Sequence, residues 1–398
     1  MTPRTPIHDY TIVSALGRGR AAHYEALLAG RSGLGAHTLG DGTTCTVGRV
    51  AGLEDVRMPD PLARYDCRNN RLALLALETD GFAESVAACR ARVGAQAVGV
   101  VIGTSTSGIS ATEAAYRTAD FARTGALPPD FPYRETHNVF SCGDFVSRYL
   151  GTAGPALVVS TACSSSAKAF ATATRWLTAG ICRAVVVGGV DSLCETTLYG
   201  FHSLSLLAKG LPRPFSANRD GIGVGEAAGF ALLTAPDLPW RDGVLALAGV
   251  GDSADAYHMT APHPEAQGAR AAMAAALEGA GWEAGDVDYV HLHGTGTVHN
   301  DAAEDLALAH VGLARTPASS TKGATGHTLG AAGMCAVAFA GLAMERGYIP
   351  GTANTVAMDP GFGSRLILQA YAATVRRSLI NTFGFGGSNC TLALERRG

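Results

Sequence analysis

This 398-residue chain is short of charge. Asp, Glu, Lys and Arg make up 16% of it, against about a quarter in ordinary globular chains. With 31 basic and 34 acidic residues the formal net charge is −3, so no basic surplus is left to grip nucleic acid or acidic lipid. Long apolar runs are missing as well. Each is broken by Gly, Thr or a charge before it reaches the 18 or so residues of a membrane span. The opening MTPRTPIHDYTIVSALGRGR lacks the basic start and long apolar stretch of a secretory signal, and the expectation is a cytoplasmic protein. The nine cysteines, at 45, 67, 89, 142, 163, 182, 194, 335 and 390, include no CxxC pair. That argues against a zinc ribbon or a thioredoxin motif and for mostly buried, reduced thiols. Low-complexity segments and short repeats are absent too.

What is present is a large apolar fraction, 47%, and 50 glycines, which predict a big core with many tight turns and close backbone approaches. The length exceeds one ordinary core. Strand-like runs at 97–105, 155–162, 183–190, 229–235, 288–294 and 378–386 alternate with helix-like stretches at 70–93, 166–180, 265–281 and 301–312. That alternation predicts α/β layers around buried parallel sheet. The run at 184–187 reads as a strand covered on both faces. PDLPWRDG (236–243) is rich in turn formers, and strand–helix alternation restarts after it. Two similar halves, 1–240 and 241–398, follow from this.

Each half holds a strand that ends in small polar residues. In the first it is VVSTACSSSAKAF (158–170), with Cys163 between a strand and an alanine-rich helix. A thiol there faces the N–H groups of the helix start, which predicts a lowered pKa; the bland alternative is a small buried hydrophobe. In the second half, DYVHLHGTGTVHNDAAED (288–305) puts His291 and His293 on one strand face. KGATGHTLGAAG (322–333) sets Lys322 and His327 in a glycine-rich turn ahead of an alanine helix. A histidine merely hydrogen-bonded in a turn is the bland reading of each. His291, His293 and His299 superficially resemble metal ligands, but no HExxH spacing or Cys pair supports a metal. GIGVGEAAG (221–229) runs into an apolar strand where a dinucleotide loop needs a helix. GATGHTLG carries no GK[ST]. Nucleotide readings therefore fail.

Together, TACSSS (161–166), RPFSANRDGIGVGEAAG (213–229), DAYHMTAPHPEAQG (255–268), HGTGTVHNDAAE (293–304), KGATGHTLGAAG (322–333) and NTFGFGGSN (381–389) resemble the β-ketoacyl-acyl carrier protein synthases of the thiolase superfamily. The similarity is to the KAS I/KAS II group, which includes polyketide ketosynthases. It covers about residues 100–395, with a weaker match at the N-terminus. The resemblance implies duplicated βαβαβαββ halves in a five-layered α-β-α-β-α sandwich. It also implies a homodimer, with a heterodimer containing a chain-length-factor-like subunit as the alternative.

The implied chemistry is a decarboxylating condensation of an acyl chain on Cys163 with malonyl-carrier protein. No cofactor is implied beyond the phosphopantetheine of acyl carrier protein. By resemblance the triad is Cys163, His293 and His327, with Lys322 and Glu304 interacting behind it. The backbone N–H groups of Cys163 and Phe385 form the oxyanion hole, and Phe385 is a gate. Thr295 and Thr297 hold the pantetheine arm, and Thr106 and Gly386 contact substrate. GTSTSGIS (103–110) and YDCRNNRLALLAL (65–77) resemble aryl polyene ketosynthases, with fatty acid synthesis as the other pathway. A non-catalytic partner subunit and a CoA-dependent thiolase-like acyltransferase are the competing functions.

Overall fold

The computed structural model describes residues 4–239 and 243–397. The expected boundary between 240 and 241, and part of the turn around it, lie outside the described residues. Up to that gap the chain contributes five main strands: Thr5–Ser14, Val98–Gly103, Ala156–Val159, Ala184–Asp191 and Ala227–Thr234. After it come five more: Leu245–Ala254, Tyr289–His291, Ala318–Ser319, Arg377–Gly384 and Ser388–Arg396. Numbered within its own half, each set lies in the spatial order 3-2-4-5-1. The directions repeat as well. The fifth strand runs antiparallel to the first and the fourth, while the second is parallel to both the fourth and the third. The halves join where Thr5–Ile7 pairs antiparallel with Leu245–Leu247.

Helices make three further layers. Arg68–Leu77 and Ser141–Leu150 cover the outer face of the first half's sheet; Gln267–Ala280 covers that of the second, with Val298–His310 against it. Between the sheets lie Ser165–Thr178 and Ala332–Arg346, which pack on each other and on strands of both halves. This is the five-layered α-β-α-β-α arrangement. The Ala184–Asp191 strand is buried at every residue, as its apolar run predicts. The stretch Leu329–Arg346 is apolar enough to cross a membrane by composition, yet 89% of it is buried inside the protein, and it serves as a core helix.

Small side chains let the central helices approach. A Cβ on Gly333 would lie 2.6 Å from the Ala167 nitrogen, and Met334 N–H donates to Ser166 Oγ at 3.0 Å. Gly103, at the end of its strand, sits against the same helix start; a Cβ there would meet Ser166 N at 2.3 Å.

Three sequence expectations change. The helix expected at 70–93 is two, Arg68–Leu77 and Phe82–Val93. Asp80 and Gly81 take positive φ of 59° and 74° and break it, and the Asp80 carboxylate receives Thr11 Oγ1 and Arg20 N–H. The strand expected at 288–294 stops at His291, which frees His293 to face a cavity. Strands Thr5–Ser14, Leu245–Ala254 and Ser388–Arg396 were not apparent from the sequence. Polar residues break up Thr5–Ser14 and Ser388–Arg396, and sheet neighbours supply their burial; Leu245–Ala254 opens on the short apolar run LALAGV and ends on Gly-Asp-Ser-Ala.

Gly103→Ala is expected to destabilise the protein by about 1–3 kcal/mol, since an inserted methyl in a filled core forces backbone shifts. Urea unfolding of the variant beside wild type measures it; a change below about 0.5 kcal/mol would contradict the close packing.

Candidate active site

The nucleophile turn is built from its own hydroxyls. Ala162 takes φ +52°, a left-handed conformation costing roughly 1–2 kcal/mol for a side-chain-bearing residue. Ser164 Oγ donates to Thr161 O at 2.9 Å, Ser165 Oγ donates to Ala162 O at 2.6 Å, and Thr161 N–H donates to Ser165 Oγ at 2.9 Å. The serines after Cys163 thus hold the sharp strand-to-helix turn in place. Ser164 occupies the N-cap position, its hydroxyl turned back to the loop and not onto the helix, so Cys163 stands just outside the helix start.

The turn before the second central helix brings His327 to meet it. His327 N–H donates to Gly223 O and Gly225 N–H donates to His327 O at 2.9 Å, which fastens this residue to the GIGVG strand. Its Nε2 lies 2.9 Å from Cys163 Sγ. Its Nδ1 accepts the Leu329 N–H at 3.1 Å. A nitrogen that accepts carries no proton, so in the neutral ring Nε2 holds the hydrogen and points it at sulfur.

His293 leaves the strand Tyr289–His291 two residues past its end, with its ring centroid 5.5 Å from that of His327. Lys322 Nζ donates to the His293 carbonyl and lies 3.4 Å from Nδ1, so this ring too keeps its proton on Nε2. Glu304 holds the other side of the same segment, receiving His293 N–H at 2.8 Å, Gly294 N–H at 2.7 Å and Asn381 Nδ2 at 3.0 Å. Among the described residues no contact ion pair joins Lys322 to Glu304; the two grip the His293 main chain from opposite sides. Every donor to Glu304 is an N–H, an arrangement suited to the carboxylate form.

Burial, and then the Lys322 charge, hold both His293 and His327 well below the usual imidazole range, so they are neutral donors. Burial pushes Glu304 up and Lys322 down. At Cys163 two influences oppose each other. Burial pushes the thiol up, Lys322 and the N–H groups of Phe385 and Cys163 pull it back, and the balance leaves it raised at about 11. The helix start alone therefore does not lower this thiol as the sequence led us to expect; desolvation outweighs it.

Cys163 Sγ and one nitrogen of each histidine lie within 4.8 Å of one another, a spacing a metal ion could use. The donors do not fit one. Coordination needs a free lone pair on Nε2, which would put hydrogens on Nδ1 facing the Leu329 N–H and the Lys322 ammonium.

A cavity of 450 Å³ opens onto this cluster, lined among others by Thr295, Thr297, Phe383 and Phe385. The Thr295 and Thr297 hydroxyls are 2.9 Å apart. Phe383 stands 5.7 Å from His293, and Phe385 meets Phe201 edge-on at 5.9 Å. Gly386, at φ +80°, donates its N–H to Met259 O at 2.7 Å and lets the Phe385 loop turn. Thr106 faces elsewhere: its N–H and hydroxyl both donate to Asp191, at 2.8 and 2.9 Å. His291 is buried apart from the triad, bonded through Nε2 to Thr321 Oγ1 at 3.1 Å. His299 lines the cavity mouth.

Two buried acids escaped the sequence reading. Asp301 fixes the GTGT loop by accepting Gly296 N–H at 3.2 Å and Phe215 N–H at 2.8 Å. Asp191 ends a strand that is otherwise wholly apolar, and an acid placed there was the available signal.

Stability should fall with acid. His23, bonded to Ser14 Oγ at 2.8 Å, is lowered to about 4 by burial, and His291 to about 3. Below the unfolded value near 6.5 the unfolded chain binds protons that these folded rings refuse. Each ring therefore removes about 1.4 kcal/mol per pH unit from 6.5 down to its folded value. His293 and His327 act alike, and the raised Glu304 offsets one of the four. Urea unfolding at pH 7.5, 6.5 and 5.5 should show a declining free energy; a flat profile would contradict neutral buried rings.

Alkylation of Cys163 by iodoacetamide should accelerate as pH rises, because the raised thiol leaves little thiolate at neutrality. In Lys322→Met the midpoint should move higher still, since a cation favouring the thiolate is gone. A midpoint that falls or stays put would remove Lys322 from the electrostatics of the sulfur.

The family profile described as "Beta-ketoacyl synthase, N-terminal domain" matches residues 60–237, and "Beta-ketoacyl synthase, C-terminal domain" matches residues 245–356. Nodulation protein E of Rhizobium meliloti is 36% identical over 307 residues, 75% of each chain. The 3-oxoacyl-[acyl-carrier-protein] synthase 2 of Vibrio cholerae is 29% identical across 99% of each. Among solved structures, the ketosynthase ApeO in complex with its chain length factor ApeC, from Xenorhabdus doucetiae, superposes with a TM-score of 0.91 at 35% identity, covering 99% of this chain and 98% of that one. The chain therefore belongs to the β-ketoacyl synthase family.

Proposed function

We propose that this protein catalyses a decarboxylating Claisen condensation between an acyl group carried on Cys163 and a malonyl thioester on acyl carrier protein. The observation that carries the reading is the position of two neutral Nε2–H donors beside one thiol on a shared cavity. In the first step the Cys163 sulfur attacks the acyl thioester. A new C–S bond forms, the old one breaks, and the proton leaves with the freed pantetheine thiol. Covalent capture divides one hard reaction into two. In the second step the malonyl C–C bond breaks, CO2 departs and the electron pair passes to the thioester oxygen. His293 and His327 donate hydrogen bonds to that enolate without protonating its carbon. The carbon then attacks acyl-Cys163. Phe385 N–H and Cys163 N–H, which point at the sulfur, hold the tetrahedral oxyanion, and its collapse returns the cysteine. The product is a 3-oxoacyl chain two carbons longer, on the carrier.

Residues 1–240 supply the nucleophile in this reading and 241–398 the histidines. Thr295 and Thr297 would hold the pantetheine arm, and Phe385 against Phe201 would gate entry. Carrier-bound substrates fit a cytoplasmic enzyme with no further cofactor. The resemblance of the GTSTS loop to aryl polyene ketosynthases supports aryl-primed polyenoyl substrates ahead of plain fatty acyl chains, with Gly386 letting the Phe385 loop turn beside the cavity.

For the partner, likeness to a ketosynthase complexed with its chain length factor supports a heterodimer, and a homodimer is the alternative. The edge strand Ala156–Val159 offers a surface for either, with Leu157 40% exposed and Phe140 43% exposed beside it. Pairing would cover both an open edge and an apolar patch.

Intact mass after incubation with acyl-carrier protein tests the reaction. Wild type should gain one acyl group and Cys163→Ala none, and malonyl-carrier protein should then discharge the adduct into a longer product. His293→Ala or His327→Ala should slow discharge by about 10²–10³, the usual loss for one oxyanion donor. Acylation that persists in Cys163→Ala would overturn the assignment of the nucleophile.

A further inference from the structure

The carboxylate of Asp191 is buried completely and has no part in the chemistry described so far. It accepts five hydrogen bonds. Oδ1 takes Thr104 Oγ1 at 2.7 Å, Ser105 N–H at 2.7 Å, Thr106 N–H at 2.8 Å and Thr106 Oγ1 at 2.9 Å. Oδ2 takes Gly330 N–H at 2.6 Å. The first four partners belong to the loop after Val98–Gly103; the fifth belongs to the other half of the chain.

Both lines lead to the reacting pair. Gly330 follows Leu329, whose N–H bonds His327 Nδ1. Leu329 holds φ +52°, a conformation a leucine adopts only when its surroundings impose it. On the other side, Ser105 Oγ donates to Ala162 O at 3.3 Å, one residue ahead of Cys163. The junction is tight as well: a Cβ on Gly330 would lie 2.8 Å from Asp191 Oδ2 and 2.8 Å from Ser105 Oγ.

We propose that Asp191 is a positioning residue which, by anchoring Gly330, keeps the Leu329 N–H on His327 Nδ1 and so fixes the Nε2–H tautomer aimed at Cys163. The carboxylate is suited to this because an acceptor is needed on both of its oxygens. An amide of the same shape offers only one, and its NH2 would face either Gly330 N–H or the 104–106 donors. The released Leu329 could then relax, and the His327 proton could move to Nδ1, leaving a lone pair where a donor is required.

The inference deepens the ketosynthase reading and rests on it, but its first readout needs no turnover. In 15N-histidine-labelled wild type at pH 7.5, His327, assigned by loss of its signals in His327→Gln, should show a bare Nδ1 and a protonated Nε2. In Asp191→Asn the opposite tautomer should become populated. Malonyl decarboxylation should lose at least about tenfold in kcat with KM within about twofold, the split expected when a transition-state donor is misaligned. Gly330→Ala, which crowds the same oxygen, should give the same pattern. A wild-type His327 with its proton on Nδ1 overturns the proposal even if no variant folds. So does a folded Asp191→Asn with unchanged tautomer and kcat. Failure of the ketosynthase reading would look different: wild type would show the Nε2–H tautomer yet acquire no acyl group.

Discussion

The close crossing of the two central helices is the constraint on which everything else depends. Ser165–Thr178 and Ala332–Arg346 touch near their starts, where Gly333 leaves no space for a side chain against Ala167 and Met334 N–H reaches Ser166 Oγ. Each helix follows the third strand of its own half, so each start carries a turn from an equivalent place in the fold. Bringing the starts together brings Cys163 and His327 to 2.9 Å. A bulkier residue at the crossing would hold the helices apart and separate thiol from imidazole. Packing of small residues in the core therefore sets the reacting distance.

Around that pair the structure excludes water and then supplies fixed dipoles in its place. Burial keeps both histidines neutral, and Lys322 reinforces it. Neutrality alone would leave each proton free to sit on either nitrogen. Leu329 N–H at His327 and Lys322 at His293 remove that freedom, so both rings present a donor to the cavity. The cost is a thiol raised by the same desolvation. The buried carboxylates Glu304, Asp191 and Asp301 accept main-chain N–H groups and hold loops; none lines the cavity. Asp220 and Asp255 do line the wider cavity, but these three carboxylates are turned to the main chain and away from the place where an enolate would form.

Much of this was legible in the chain. The apolar run at 184–187 read as a doubly covered strand, and the Ala-rich stretches after STACSSS and KGATGHTLG read as helices, each behind a polar turn. The order of six motifs fixed the triad by resemblance. Less legible were Thr5–Ser14, Leu245–Ala254 and Ser388–Arg396, since TPIHDYTIVS contains no clean period and owes its burial to neighbours far along the chain. The break at Asp80–Gly81 was written in ETDG but overridden by the helical pattern around it. The polarity of Thr106 pointed toward substrate; in the fold its hydroxyl is spent on Asp191.

By itself the sequence determined local matters: which segments become strands or helices, where glycine permits a turn, and which residue types could be nucleophile and donors. Such properties depend on neighbours within a few positions. Tertiary structure alone decided the state of those groups. Whether the Cys163 thiol is raised or lowered depends on how much water the other half excludes from it. Which nitrogen of His327 carries the proton depends on the Leu329 N–H, and the next residue, Gly330, donates to an acid 139 residues distant. Desolvation and hydrogen-bond direction are properties of three-dimensional surroundings, and no stretch of the chain encodes them alone.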